Sequence, residues 1–170
     1  YGLAGLANED TRALFRGIES CDSFIVDPHK WLFAPFDACA LIYRDPELGR
    51  EAHTQHAGYL DTLNESHEWN PSDYAIQLTR RTRGLPLWFS LAAHGTKAYS
   101  DAVAKTMDIA RAAAELIRKH PNLELLCEPN LSIVAFTRKD WTLADYQAWS
   151  DKLLADQIGF VTPSSHKGVP

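Results

Sequence analysis

Apolar residues come in short runs separated by polar, proline- and glycine-bearing breaks, and the period inside each run predicts its element. Residues 8–20, NEDTRALFRGIES, begin with Asn8 as an N-cap and place Ala13, Leu14, Gly17 and Ile18 on one side of a helix. The run SFIVD at 23–27 is short, β-branched and aromatic, and Pro28 stops it, so it predicts a strand ending in a sharp turn. ACALIYR at 38–44 is apolar almost without alternation, the pattern of a strand covered on both faces. Over 45–73 the period is lost among Asp45-Pro46, Gly49, Gly58, Asn64, Asn70-Pro71 and three histidines. A connection of that length predicts a lid or binding segment.

Helical spacing returns from Leu85 to Tyr99. It is clearest over 99–119, where Val103, Met107, Ala110, Ala114 and Ile117 line one face until His120-Pro121-Asn122 ends the helix. LELLCE at 123–128, SIVAFT at 132–137, a helix from about Leu143 to Gln157 after Thr142, and GFVTP at 159–163 read as two strands, a helix and a third strand. The pattern predicts an α/β layered domain over 1–99, with 45–73 as its long loop, followed by a small α+β unit over 100–170.

Composition narrows the function classes. With 45% hydrophobic and 23% charged residues the chain has the make-up of a folded globular protein rather than a disordered one. Lys plus Arg is 17 against 22 for Asp plus Glu, a net charge of −5, which argues against a nucleic-acid partner. No apolar run approaches the roughly 18 residues of a membrane span, so no membrane partner is expected. Cys21, Cys39 and Cys127 are odd in number and far apart, as in a reducing compartment, which predicts a cytoplasmic protein. Their apolar neighbours predict that each is a small buried hydrophobe. Position 1 is Tyr1 and the sole methionine is Met107, which predicts an internal piece of a longer protein.

The chemical centre is Asp27-Pro28-His29-Lys30-Trp31. A lysine at the end of a buried strand, between a proline turn and a tryptophan, is placed for a reactive amine. Partial burial would disfavour its ammonium and prepare it to attack an aldehyde. His29 beside it offers a donor for an anion or a flat face for a ring. Arg80, Arg81 and Arg83 sit at a helix N-terminus, which is unfavourable for cations unless an anion or carboxylate partners them. His53, His56 and His67 with Glu65 and Glu68 lack helical period and a clear third ligand, so no metal site is expected. The five tryptophans are scattered and predict core or interface anchors.

The segment SCDSFIVDPHKWLFAPFDACALIYRD resembles the cofactor-lysine region of the pyridoxal-phosphate-dependent amino-acid decarboxylases, the family of the aromatic-L-amino-acid, histidine and glutamate enzymes. TRRTRGLPLWFSLAAHGTKAY at 79–99 and Tyr1-Gly2 are similar to further stretches of that family, most of all its aromatic branch. The resemblance implies the large fold type I domain of the aminotransferase-like enzymes followed by a small C-terminal domain, here incomplete. It implies that Lys30 carries the internal aldimine with pyridoxal 5′-phosphate and that His29 lies at the phosphate or the cofactor rim. It further implies that Tyr59, in HTQHAGYL at 53–60, is the Cα proton donor, and that Arg80 lies near the substrate or the subunit interface. The expected activity is decarboxylation of an L-amino acid, aromatic favoured, to its amine and CO₂, in a homodimer with the active site at the interface. An aldehyde synthase of the same fold, or a silent structural fragment, is the alternative.

Overall fold

The computed structural model describes residues 1–55, 69–166 and 168. The chain folds as two compact units, Tyr1–Ala104 and Lys105–Pro170.

The first unit opens with a 3-10 stretch, Gly2–Ala7, and a single helical turn, α1 (Glu9–Arg12). Asn8 caps α1 as expected, its Oδ1 accepting from the Asp10 amide at 2.8 Å, while buried Thr11 donates its hydroxyl to the Gly5 carbonyl at 2.7 Å. The helix expected to run to residue 20 does not continue. It tightens into 3-10 turns at Ala13–Phe15 and Ile18–Ser20, on either side of Gly17, whose φ of 100° is incompatible with a right-handed helix.

Strands β1 (Ser23–Val26) and β2 (Ala40–Tyr43) pair antiparallel, with Ser23 opposite Tyr43 and Val26 opposite Ala40. Arg44 fastens the end of β2 by donating to the carbonyls of Glu19 and Cys21 at 2.8 and 2.9 Å. Among the described residues the expected cover on both faces is not found: Ile25, Leu41 and Ile42 are exposed. Two strands alone cannot bury such a continuous apolar run, so the composition of β2 suits a larger sheet than the pair formed by the described residues.

The segment 45–73 is more ordered than its composition suggests. Helix α2 (Pro46–His53) starts on Asp45, whose Oδ1 accepts from the Glu47 amide at 3.1 Å, with Pro46 in the first turn where it needs no donor. A 3-10 turn, Pro71–Tyr74, is capped in the same way by Asn70. Arg50 of α2 donates Nε to the buried Asp73 at 3.1 Å, and Gln55 donates to the Ile76 carbonyl at 3.1 Å, so residues flanking 56–68 on both sides are tied together. Gly49 packs against the Tyr43 ring so closely that a Cβ there would lie 2.8 Å from Cε2.

The two helical runs expected after residue 84 are both present in α3 (Gly84–Lys119), separated by a kink at Gly95 (φ 75°, ψ 161°), a conformation open essentially only to glycine. The Tyr99 hydroxyl donates to Ser90 Oγ at 2.5 Å across the break. The stripe Val103, Met107, Ala110, Ala114 and Ile117 is buried as its spacing predicts.

In the second unit β3 (Leu123–Leu125) and β4 (Phe136–Arg138) pair antiparallel, Leu125 opposite Phe136. Helix α4 (Leu143–Ala155) begins with a reciprocal cap: Thr142 Oγ1 accepts from the Asp145 amide, and Asp145 Oδ2 accepts from the Thr142 amide at 2.7 Å. Both backbone and side-chain bonds from Thr142 hold the Asp145 carboxyl below the usual carboxylate range. Trp141 meets Tyr146 and Trp149 edge-on at 5.2 and 5.9 Å, with the Arg138 guanidinium over the Trp141 ring. The run expected to be a third strand at 159–163 pairs in no ladder among the described residues and is tied instead by the buried Ser150 hydroxyl, which donates to the Val161 carbonyl at 2.6 Å.

Candidate active site

The lysine stands where a strand gives way to a turn. After Val26 the chain folds back on itself, the Lys30 amide donating to the Asp27 carbonyl at 3.0 Å and the Ala34 amide to the Pro28 carbonyl at 3.0 Å. Trp31 is buried and lies 5.5 Å from the Tyr1 ring, which anchors the turn on its far side. Phe33 closes the turn at a φ of 54°, a left-handed conformation that costs a bulky residue about 1–3 kcal/mol.

The amine differs from its expectation. Lys30 is not enclosed: its side chain is 52% exposed, and Nζ donates to Asp27 Oδ2 at 2.6 Å. The i, i+3 spacing across the turn supplies the carboxylate, so the lysine is held by an ion pair rather than by a core. That bond from Lys30, joined by one from the Cys39 thiol, keeps the Asp27 carboxyl below the usual carboxylate range.

His29 is held more firmly. Its ring meets Phe36 edge-on at 5.1 Å, and its Nδ1 lies against the backbone of Ala38, within hydrogen-bond reach of the amide at 3.2 Å and of the carbonyl. Cys39 is exposed as a residue rather than buried, as are Cys21 and Cys127, against the expectation from their apolar neighbours. Desolvation of its sulfur, and then the bond to Asp27, push the Cys39 thiol above its ordinary value.

Of the three arginines, Arg83 has the carboxylate partner that its position requires: its Nε donates to Asp37 Oδ2 at 2.8 Å. The Arg83 bond is the main reason that Asp37 titrates below the usual range. Arg80 donates to the Pro71 carbonyl at 2.6 Å on the exposed surface. Tyr59 lies outside the described residues, as do His56, Glu65, His67 and Glu68. His53 does not face a metal ligand set among the described residues; its Nε2 is 3.2 Å from the Tyr43 hydroxyl. Trp31 is a core anchor as expected, while Trp69 and Trp88 are largely exposed.

Sequence reasoning singled out the Asp27–Trp31 segment but not the bond from Asp27 to Lys30, nor the place of Asp37. A signal existed for Asp27, three positions before a lysine in a proline turn. None existed for Asp37, whose partner is 46 residues away.

The groups brought together here are a primary amine at the surface of a turn and a fixed imidazole beside it, chemically able to meet an aldehyde and an anion. The conserved domain of the pyridoxal-dependent decarboxylases matches residues 2–139, and the chain belongs to that family. It is 34% identical over 139 residues to the aromatic-L-amino-acid decarboxylase of Drosophila melanogaster, covering 82% of this chain and 27% of that protein. It is 30% identical to an acidic amino acid decarboxylase of Xenopus tropicalis, covering 80% of this chain and 27% of the relative. Among solved structures, tryptophan decarboxylase of Catharanthus roseus in complex with L-tryptophan superposes with a TM-score of 0.82 at 25% identity, over 99% of this chain and 37% of that one. The fold type I assignment fits these likenesses. The chain thus spans about a third or less of these relatives. Among the described residues, no helix is long and apolar enough to cross a membrane.

Proposed function

We propose that the protein containing this chain is a pyridoxal-phosphate-dependent decarboxylase that converts an L-amino acid, aromatic in preference, to its amine and CO₂. The observation that carries the reading is the Lys30 amine, presented at the surface of the turn after β1 beside a clamped His29, in a chain of this family. The residues present fit the cofactor: a reachable primary amine suits its aldehyde, and an imidazole beside that amine suits its phosphate or ring. Bound there, pyridoxal phosphate supplies a sink for the electrons released when the Cα–carboxylate bond breaks.

The chain's own residues do the rest. Lys30 holds the cofactor covalently and gives way to the substrate amine. Asp27, ionised at neutral pH, lies 2.6 Å from Nζ, holds the Lys30 ammonium in place and can accept its proton. His29 orients the cofactor from the fixed position that Phe36 and Ala38 give it. Tyr59 delivers the proton to Cα; a phenol keeps its proton until a strong base is present, because its reference pKa is about 10. Arg80 lies toward the substrate or the subunit interface. The small unit after α3 is the start of the C-terminal domain, the enzyme acts as a homodimer, and it works in the cytoplasm.

The aromatic preference is supported by the 34% identity to an aromatic-L-amino-acid decarboxylase, against 30% for an acidic one. Release of CO₂ from a panel of aromatic, imidazole and acidic amino acids by the full-length protein tests it. Turnover confined to aromatic substrates is expected; turnover confined to acidic ones would reverse the preference. With the same protein, Tyr59→Phe is expected to lower amine formation by about 10²–10⁴-fold. Unchanged amine formation would remove Tyr59 as the proton donor.

A further inference from the structure

Residues 36–38 follow the lysine turn, and two of the three grip it. Phe36 packs its ring on His29, and Ala38 meets His29 Nδ1 through its backbone. Asp37, between them, is tied elsewhere: its Oδ2 accepts from Arg83 Nε at 2.8 Å, at the head of α3. Its Oδ1 is buried without a hydrogen-bond partner among the described residues. The two residues that hold the His29 ring are thus the two chain neighbours of a carboxylate anchored to another element.

We infer that Asp37 and Arg83 are a positioning pair that fixes the strip 36–38, and through it the His29 ring, against the cofactor; this rests on the reading of Lys30 as the cofactor lysine. The physical case is one of tethering. The edge contact from Phe36 and the Ala38 backbone contact each depend on where the strip lies, and neither spans to α3 on its own. The bond across 46 residues makes the strip's position a property of the helix instead of the turn. It also answers the cation that Arg83 places at a helix N-terminus. Neither side chain is asked to touch the reacting atoms.

The test uses the full-length protein with pyridoxal 5′-phosphate as the probe and reads affinity by absorbance and ring orientation by visible circular dichroism of the bound cofactor. Asp37→Asn is expected to weaken cofactor affinity by at least 10-fold and to reduce the dichroism per bound cofactor, with the melting temperature of the apoprotein little changed. The reciprocal exchange, Asp37→Arg with Arg83→Asp, is expected to restore most of both signals. Should Asp37→Asn fail to fold, Arg83→Gln carries the same expectations. Affinity within twofold of wild type together with unchanged dichroism, in whichever variant folds, overturns the pair's role. Borohydride reduction of the wild-type protein separates the two claims: no cofactor fixed on Lys30 would sink the lysine reading itself, whereas fixation on Lys30 with indifferent Asp37 and Arg83 variants sinks only the pair.

Discussion

Cys39 sits at the surface, yet its thiol resists ionisation, because its sulfur is desolvated where it lies against the Asp27 carboxylate. The thiolate is the reactive form, so iodoacetamide at pH 8 is expected to alkylate Cys39 more slowly than free cysteine. Asp27→Asn is expected to speed the reaction several-fold; an unchanged rate would mean that the carboxylate does not reach the sulfur. Asp27 itself titrates low, so its ionised pairing with Lys30 is present above the usual carboxylate range and is lost only as the pH falls through that lowered value. The lysine was legible because a strand, a proline turn and His-Lys-Trp are a local string. Its exposure was not. The sequence shows an apolar strand ahead of Lys30 but not that the turn would end in an ion pair, and the expectation of burial followed from the strand.

At the scale of elements, two glycines and one cap carry distinct expectations. Gly49→Ala would place a Cβ 2.8 Å from the Tyr43 ring and is expected to destabilise by about 1–3 kcal/mol in denaturant unfolding. Gly95→Ala meets open space, so its expected cost, also about 1–3 kcal/mol, comes from the backbone at φ 75° alone. Equal stability in either variant would contradict the geometry at that site. Thr142→Ala removes one half of the α4 cap and is expected to cost about 1 kcal/mol, seen as faster amide exchange in the first turn of α4. Because Asp145 titrates low, its half of the cap is present above the usual carboxylate range and is lost only as the pH falls through that lowered value. The buried stripe of α3 was legible since five apolar residues repeat at helical spacing. Helix α2 was not, because PELGREAH offers little apolar period; its capping signal, Asp45-Pro46, was present and outweighed by the surrounding glycines and asparagines. The run at 159–163 carries strand-forming residues, but Ser150 engages its backbone instead of a neighbouring strand.

For the whole molecule, the apolar faces left open by β1, β2 and the first part of α3, including Ile25, Leu41, Trp88 and Phe89, fit a chain that spans about a third or less of its relatives. Sequence periodicity reports which positions want cover and is silent on what covers them, which is why a two-stranded pair was read as a fully covered sheet. Family membership was legible from 20–45 and 79–99 because those motifs are contiguous, while the Asp37–Arg83 tie that links them was not. The central claim is that Lys30 holds pyridoxal phosphate. The direct measurement is borohydride reduction of the full-length protein loaded with pyridoxal phosphate, followed by peptide mass spectrometry. The reduced phosphopyridoxyl group is expected on the peptide containing Lys30, and is expected to be lost in Lys30→Ala; the group on any other lysine of the wild-type protein would contradict the assignment.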